Sequence, residues 1–329
     1  MGTFRTVLSF DMRAPDFGAP SAELYDAALE MCAFGDEAGI DGVVFPEHHG
    51  SDDGYNPAPA LMATAAAART KRIEMILGAI VLPLHDPVEV AETIAVTDII
   101  CGGRLTTALA AGYVAAEFSM FGKALNDRAR LMDEGLDVVT RALAGERFDY
   151  GDREIFVRPL PRSRPPKILV GGGVPAAVRR AARYGLGLWV LQPPVLPGGQ
   201  RLIAQYEAEC RKRGRKPGPI MSTHPAVHVA RDPDAAWEQI GPHVLHLVQS
   251  YASWAGDVDT KTSPFYGLDS IEQVRAAGII NVLTPEQAVT FAGNTSISLL
   301  PLIAGLSPKV GWEMLELFAA EVLPKLTDT

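Results

Sequence analysis

Apolar residues recur along this chain in two alternating rhythms. Short unbroken runs of branched and aromatic residues, the pattern of strands covered on both faces, alternate with stretches carrying an apolar stripe at helical spacing. Val7-Leu8-Ser9-Phe10 reads as a first strand, ended by the Pro-containing loop Asp11 to Pro20. Ser21 is placed to cap a helix with Leu24, Ala28, Met31 and Phe34 on one face, and Gly39 stops it. Gly42 to Phe45 is a second strand, Pro57 to Arg69 an alanine-rich helix, and Ile73 to Val81 a third strand. Pro87 opens a helix reaching Ile100, Gly102-Gly103 breaks it, and Arg104 to Ala110 is strand four. Asn126 to Leu143 is an amphipathic helix and Arg147 to Val157 a small hairpin. Ile168-Leu169-Val170 is strand five, Pro175 to Tyr184 its helix, and Leu188 to Leu191 strand six. Helices over Leu202 to Arg213 and Ala235 to Tyr251 flank strand seven, Ile220 to Val229, which Pro225 interrupts. Ser253 to Leu268 follows neither period and reads as an insertion. Ser296 to Leu302 is strand eight, and Pro308 to Leu323 ends the pattern with Val310, Met314, Phe318 and Val322 on one stripe.

Strand and helix alternating in this way predict an α/β fold with the parallel sheet closed as a (β/α)8 barrel, one domain over residues 1–329. An open doubly wound sheet is the competing architecture. Gly171-Gly172-Gly173-Val174-Pro175-Ala176 matches G-x-G-x-x-A between a strand and a helix. A dinucleotide site also needs an acid roughly 20 residues on, at the end of the next strand. That strand ends in Leu191-Gln192-Pro193-Pro194, without one. The glycines therefore point to a phosphate site, where backbone N–H groups and a helix N-terminus meet an anion, on the loops where barrels hold phosphate. The plainer alternative is a tight strand-to-helix turn.

Composition narrows the class. With 47% hydrophobic residues in 329, a large core forms without disulfides or metals. The 30 basic and 39 acidic side chains give a net charge of −9, which disfavours nucleic acid or an anionic membrane as partner. Cys32, Cys101 and Cys210 are odd in number and far apart, which suggests neither a disulfide framework nor a zinc site. With no secretory core after Met1 and no apolar run long enough for a bilayer, a cytoplasmic location is expected.

Candidate chemistry sits at strand ends. Strand two runs into Glu47-His48-His49, a carboxylate beside two imidazoles that titrate near neutrality. Two histidines capping a surface loop is the bland alternative. Gly78, inside strand three, marks a bulge, a close backbone approach, or packing against a helix. Ala110-Ala111-Gly112 ends strand four with a small surface suited to a flat ring, or to the taper of a barrel. A hydrolytic metal at Glu47 and the histidines is a minor option, since adjacent side chains on a strand diverge. His224 and His228 share a face of strand seven, whereas His243 and His246 read as surface or core-edge residues.

Taken in order, Glu47-His48-His49, Gly78-Ala79-Ile80-Val81-Leu82-Pro83, Asp86-Pro87, Gly103-Arg104, Gly112, Glu117-Phe118 and Gly171 to Gly173 form a specific series. It resembles the bacterial luciferase-like flavin monooxygenase family, which includes enzymes using the deazaflavin F420. Leu317 to Pro324 is similar to the family's C-terminal helix. The resemblance implies a barrel with a late insertion, a homodimer, and His48 as catalytic histidine with Glu47 or a backbone group fixing its tautomer and His49 in support. It implies a non-prolyl cis peptide at Gly78-Ala79 against the flavin, and Ala110 and Ala111 beneath the ring. Gly171, Gly172, Gly173, Val174 and Ala177 would hold the phosphate, with Arg128 as charge partner. Luciferase carries cysteine and arginine where Ala110 and Ala111 stand, and hydroxyl groups at Val174 and Ala177, so light emission is not expected here. The implied activity is insertion of oxygen from O2 into a small organic substrate, using reduced FMN from a separate NAD(P)H flavin reductase. Hydride transfer with F420 is the alternative; its users more often carry an aspartate-histidine pair with a nearby tryptophan. A flavin-binding relative without turnover is the non-enzymatic one. Pocket walls fall to Asp11 to Pro20, Asp52 to Asn56, Gln192 to Gly199 and Ser253 to Leu268, the last an apolar lid through Trp254, Phe265 and Tyr266.

Overall fold

Parallel strands wound around a common axis carry this chain, with helices packed outside them. The computed structural model describes residues 6–191, 197–254, 265–293 and 295–327. In chain order the first elements are β1 (Thr6–Ser9), α1 (Ser21–Ala38), β2 (Gly42–Phe45), α2 (Pro59–Ala67), β3 (Glu74–Val81) and α3 (Pro87–Ile100). Next come β4 (Leu105–Ala110), α4 (Ala115–Met120), α5 (Arg128–Leu143), β5 (Phe148–Tyr150), β6 (Arg153–Ile155), β7 (Lys167–Gly171), α6 (Pro175–Tyr184) and β8 (Gly187–Val190). The remainder are α7 (Pro197–Lys212), β9 (Ile220–Ser222), β10 (Ala226–Val229), α8 (Pro233–Trp254), α9 (Ile271–Ala277), β11 (Ile280–Leu283), α10 (Pro285–Ala292), β12 (Ile297–Leu299), α11 (Pro308–Glu321) and α12 (Leu323–Thr327).

β1, β2, β3, β4, β7 and β8 pair in succession, all parallel, and β12 takes the other edge of β1. The circle closes through one kinked strand. β9 pairs with β8, β10 pairs with β12, and only Thr223-His224-Pro225 lies between β9 and β10. The Thr223 N–H donates to the Val190 carbonyl at 3.0 Å, and the Ser298 N–H donates to the Pro225 carbonyl at 2.9 Å. Proline, lacking an N–H, suits the point where a strand leaves one neighbour for another. The expected barrel, with strand seven broken at Pro225, is the fold observed.

Two apolar layers result. Val7, Ile76, Ala108, Leu169 and Trp189 form a buried cluster drawn only from strands, which fills the barrel interior. A larger core lies between strands and helices, including Leu8, Val43, Leu77 and Leu109 with Met31, Ile94, Leu136 and Phe318. Cys32, Cys101 and Cys210 are free thiols buried among these side chains.

Besides the short α4, where no element was expected, the structure departs from the expected elements in two places. α1 begins at Ser21, but Pro20 holds the capping position (φ −62°, ψ 147°) without a side-chain cap, its carbonyl accepting from the Leu24 N–H at 3.1 Å. Between Leu268 and Ser296, where no element was expected, the chain forms α9, β11 and α10, and β11 pairs with β10. These pieces are too short for periodicity to register. Their signals are capping boxes, Ser270 with Gln273 and Thr284 with Gln287.

Candidate active site

Pro46 follows β2 directly, so Glu47 turns inward at the carboxyl end of the barrel and becomes 4% exposed. Its Oε2 accepts the Val81 N–H at 2.6 Å, fastening the ends of β2 and β3. Its Oε1 pairs with His49 Nε2 at 2.7 Å and His85 Nε2 at 2.5 Å. Burial alone would raise the Glu47 pKa, but the bonds from His49, His85 and Val81 outweigh it and hold the carboxyl at about 2. Glu47 is therefore a fixed anion. Among the described residues, Glu47, His49 and His85 are also a trio whose ligand-type atoms lie within 4.8 Å of one another. Both imidazole nitrogens are within hydrogen-bond reach of the same carboxylate oxygen.

His48 points elsewhere. Its Nδ1 lies 2.8 Å from Glu117 Oε1, which also accepts the His49 N–H at 2.9 Å. The carboxylate that orients His48 is thus Glu117, on α4, and not Glu47. With Nδ1–H donated to Glu117, Nε2 is left on the opposite ring edge as the proton-exchanging atom. His48 is 9% exposed and Glu117 1% exposed, so the pair is screened from water. The His48 ring lies 4.4 Å from Trp254, 4.8 Å from Tyr55, 5.8 Å from Tyr113 and 5.9 Å from Tyr251, centre to centre. Tyr55 and Tyr251 share a 2.9 Å hydroxyl contact, and Phe265 stacks on Tyr251 at 5.4 Å. Trp254 and Phe265 of the expected apolar wall do reach the site, while residues 255–264 lie outside the described residues. So do residues 192–196 of the expected Gln192 to Gly199 wall.

β3, β4 and β7 provide a floor of small groups. The Gly78-Ala79 peptide is cis, and the β3–β4 register shifts there. A Cβ on Gly78 would lie 2.4 Å from Trp189 Cη2, so this glycine makes room for the indole inside the barrel. A Cβ on Gly171 would lie 3.7 Å from the Ala110 Cβ and 3.9 Å from the Ala79 Cβ, so these three positions adjoin. Ala111 follows in the chain, and nothing longer than a methyl group is present among the four.

In the glycine loop, Gly172 donates its N–H to the Trp189 carbonyl at 3.1 Å and takes a φ of 159°. Gly173 is open, with nothing among the described residues within 4 Å of a Cβ. Val174 is the extended residue before α6 and is exposed, while Ala177 is buried and donates its N–H to the Val174 carbonyl at 3.0 Å. α6 offers its N-terminus without a side-chain cap. Arg128 opens α5, and Arg180 of α6 reaches the next residue's carbonyl, Ala129, at 3.1 Å. The N–H groups of Gly172 and Ala177 are thus already donated within the chain, which leaves the open Gly173 and the uncapped start of α6 to face an anion.

The other histidines do not join this centre. His228 is buried on β10, where burial pushes its pKa down to about 4, and His224 is shifted in the same direction. His243 pairs with the Ala304 carbonyl at 2.8 Å and His246 with Asp53 Oδ2 at 2.8 Å, on either side of exposed Phe17. Glu117 stood within a sequence motif and Tyr55 within the expected Asp52 to Asn56 wall, neither with a role of its own, and His85 offered no clear place in a ligand set.

The profile described as luciferase-like monooxygenase matches residues 7–292, and the chain belongs to that family. It is 30% identical over 189 residues to 4-hydroxyprotoasukamycin monooxygenase from Streptomyces nodosus subsp. asukaensis, covering 54% of this chain and 51% of that protein. It is 26% identical over 273 residues to limonene 1,2-monooxygenase from Rhodococcus erythropolis, covering 80% and 69%. The oxygenase component of the flavin-dependent trigonelline monooxygenase from Acinetobacter baylyi is 26% identical over 200 residues, covering 58% and 55%. The chain thus spans about half the length of several curated relatives it matches. Among solved structures, monooxygenase RslO1 from Streptomyces bottropensis superposes with a TM-score of 0.75 at 25% identity, covering 97% of this chain and 98% of that one. Two others share the fold at lower identity. The oxygenating constituent of 3,6-diketocamphane monooxygenase from Pseudomonas putida, in complex with FMN, gives 0.71 at 20%, covering 99% of each chain. An F420-dependent secondary alcohol dehydrogenase in complex with an F420-acetone adduct gives 0.71 at 17%, covering 99% of each.

Proposed function

We propose that this chain is the oxygenase component of a two-component flavin monooxygenase, taking reduced FMN from a separate NAD(P)H flavin reductase. One observation carries the reading: the buried His48–Glu117 pair stands at the strand ends of the barrel, on the face that also bears the small floor of Ala79, Ala110, Ala111 and Gly171. Reduced FMN, when bound, supplies the electrons by which O2 places one oxygen atom in a small organic substrate and the other in water. Ala79, Ala110 and Ala111 would lie against the ring, with Gly78 shaping the strand beneath it. Gly171, Gly172, Gly173, Val174 and Ala177, with Arg128, would hold the phosphate. His48 holds or delivers a proton at Nε2, Glu117 keeps its ring in place, and Glu47 with His49 and His85 locks the loop that carries it. The aromatic wall excludes water from that proton transfer.

The homodimer belongs to the same proposal. Leu61 on α2 and Val96, Ile99 and Ile100 on α3 leave apolar side chains exposed on two packed helices, the kind of surface that a second copy covers. Among the described residues no helix is long and apolar enough to cross a membrane.

A panel of small organic compounds, incubated with the protein, a flavin reductase, NADH, FMN and oxygen-18 gas, tests the reading by mass spectrometry. One labelled oxygen in a product is expected, and His48→Ala is expected to lower its formation ~10²–10⁴-fold while FMN still binds. Full product formation by His48→Ala would remove His48 from the mechanism.

A second reading, hydride transfer with F420, is favoured by one observation: a tryptophan, Trp254, does lie against His48, although it comes from α8. Parallel titrations with FMN and F420 separate the two by which cofactor binds.

A further inference from the structure

Arg13 heads the fully buried side chains by size, and the chemistry assigned to His48 makes no use of it. It stands in the loop after β1, where Met12 takes a left-handed φ of 60°. Asp11 secures this turn, accepting the Arg13 and Ala304 N–H groups at 3.1 Å each. One guanidinium nitrogen, Nη1, pairs with Asp53 Oδ2 at 2.5 Å and lies 3.5 Å from Ser51 Oγ. Nε and Nη2 are buried and, among the described residues, have no hydrogen-bond partner. They form the edge of the guanidinium opposite the Asp53 contact, and its two parallel N–H bonds match the oxygen pair of a carboxylate.

The surroundings tie this edge to the reaction centre. The Arg13 guanidinium carbon lies 4.5 Å from the Trp254 ring centre, 4.8 Å from Tyr55 and 5.4 Å from Tyr251. These same three rings pack on His48. One aromatic layer therefore separates Arg13 from His48. The ring faces return part of the desolvation cost of the buried cation, but a π-face does not accept two parallel N–H bonds as a carboxylate does. Neither neighbouring acid is placed to do so. Asp53 faces Nη1, Ser51 and His246. Asp11 is occupied by backbone N–H groups, and burial raises its pKa to about 6.

We infer that Arg13 is the substrate-recognition residue of this site and that the substrate is a planar, ring-sized carboxylic acid. Its carboxylate takes the Nε–Nη2 edge, and its ring lies among Tyr55, Tyr251 and Trp254 with the carbon to be oxidised toward His48. The inference rests on His48 as the reaction locus. A purely structural Arg13, clamped by Asp53 and the aromatic faces, is the opposing outcome.

Calorimetric titration of the full chain with benzoate and indole-3-carboxylate, each against its neutral amide, tests it at pH 7.5. Wild type is expected to bind the acids at least about tenfold more tightly than the amides. Arg13→Gln is expected to erase that preference while FMN affinity stays within about threefold of wild type. Arg13→Lys, which keeps the charge without the fork, is expected to retain only part of it. Equal affinities or no binding in wild type, or a preference that survives Arg13→Gln, would overturn the assignment. Should Arg13→Gln fail to fold, Arg13→Lys decides, and an acid preference undiminished in it would overturn the assignment. FMN titrated into the same samples keeps the two readings apart: acid preference without FMN binding sinks the flavin function and leaves Arg13 as the carboxylate site.

Discussion

A carboxylate as buried as Glu47 stays charged because three donors face it. Its folded pKa of about 2 lies below the ordinary value of 4.5. The native state therefore favours the charged form, and the resulting stability is complete above pH 4.5 and is lost as pH falls toward 2. Glu47→Gln is expected to be less stable than wild type at pH 7 and to lose less on acidification, as measured by urea unfolding between pH 7 and 3. Parallel curves for the two proteins would contradict this role. Glu117→Gln addresses the other carboxylate. It keeps the shape but weakens the bond that orients His48, so turnover is expected to fall about ten- to a hundredfold, the worth of one charged hydrogen bond, with FMN binding retained. The histidine pair was legible in the sequence because it ends an apolar strand. Its partners were not. Glu117 lies 69 residues from His48, and Tyr251 lies 196 from Tyr55. Only the closed barrel brings such positions together.

At the scale of elements, the strands that build the site depend on two local irregularities. Gly78 lets Trp189 cross the barrel interior, since a Cβ there would lie 2.4 Å from Cη2, 2.7 Å from Cζ3 and 2.9 Å from Val44 Cγ1. Gly78→Ala is expected to destabilise by about 1–3 kcal/mol, lowering the thermal midpoint, and Trp189→Leu in the same chain to recover part of the loss. An unchanged midpoint in the single variant would refute this packing role. Pro225 is the second irregularity, where the strand changes neighbours. Both were readable, because glycine inside a continuous apolar strand and proline inside another are local exceptions to a strong pattern. The long helices and the buried strands were equally readable from their periods. α4, α9, β11 and α10 were not, since elements of four to eight residues are set by capping and by the surface they meet.

For the whole molecule, alternation of strand and helix predicted the barrel, and the glycine loop without a following acid correctly set aside the open sheet. What alternation could not convey is which apolar groups stay exposed after folding. Leu61, Val96, Ile99 and Ile100 are such groups, and light scattering is expected to give twice the 35.2 kDa chain mass. Leu61→Glu with Ile99→Glu is expected to return the single-chain mass, and a wild-type monomer would rule the dimer out. The central claim, a reduced flavin lying on the small floor beside His48, is tested most directly by anaerobic ultrafiltration of reduced FMN against wild type and Gly171→Leu. A leucine there projects onto Ala79 and Ala110, where the ring would rest. Saturable binding by wild type, weakened at least about tenfold in Gly171→Leu, is the predicted result; no binding by wild type, or equal binding by both proteins, would contradict it.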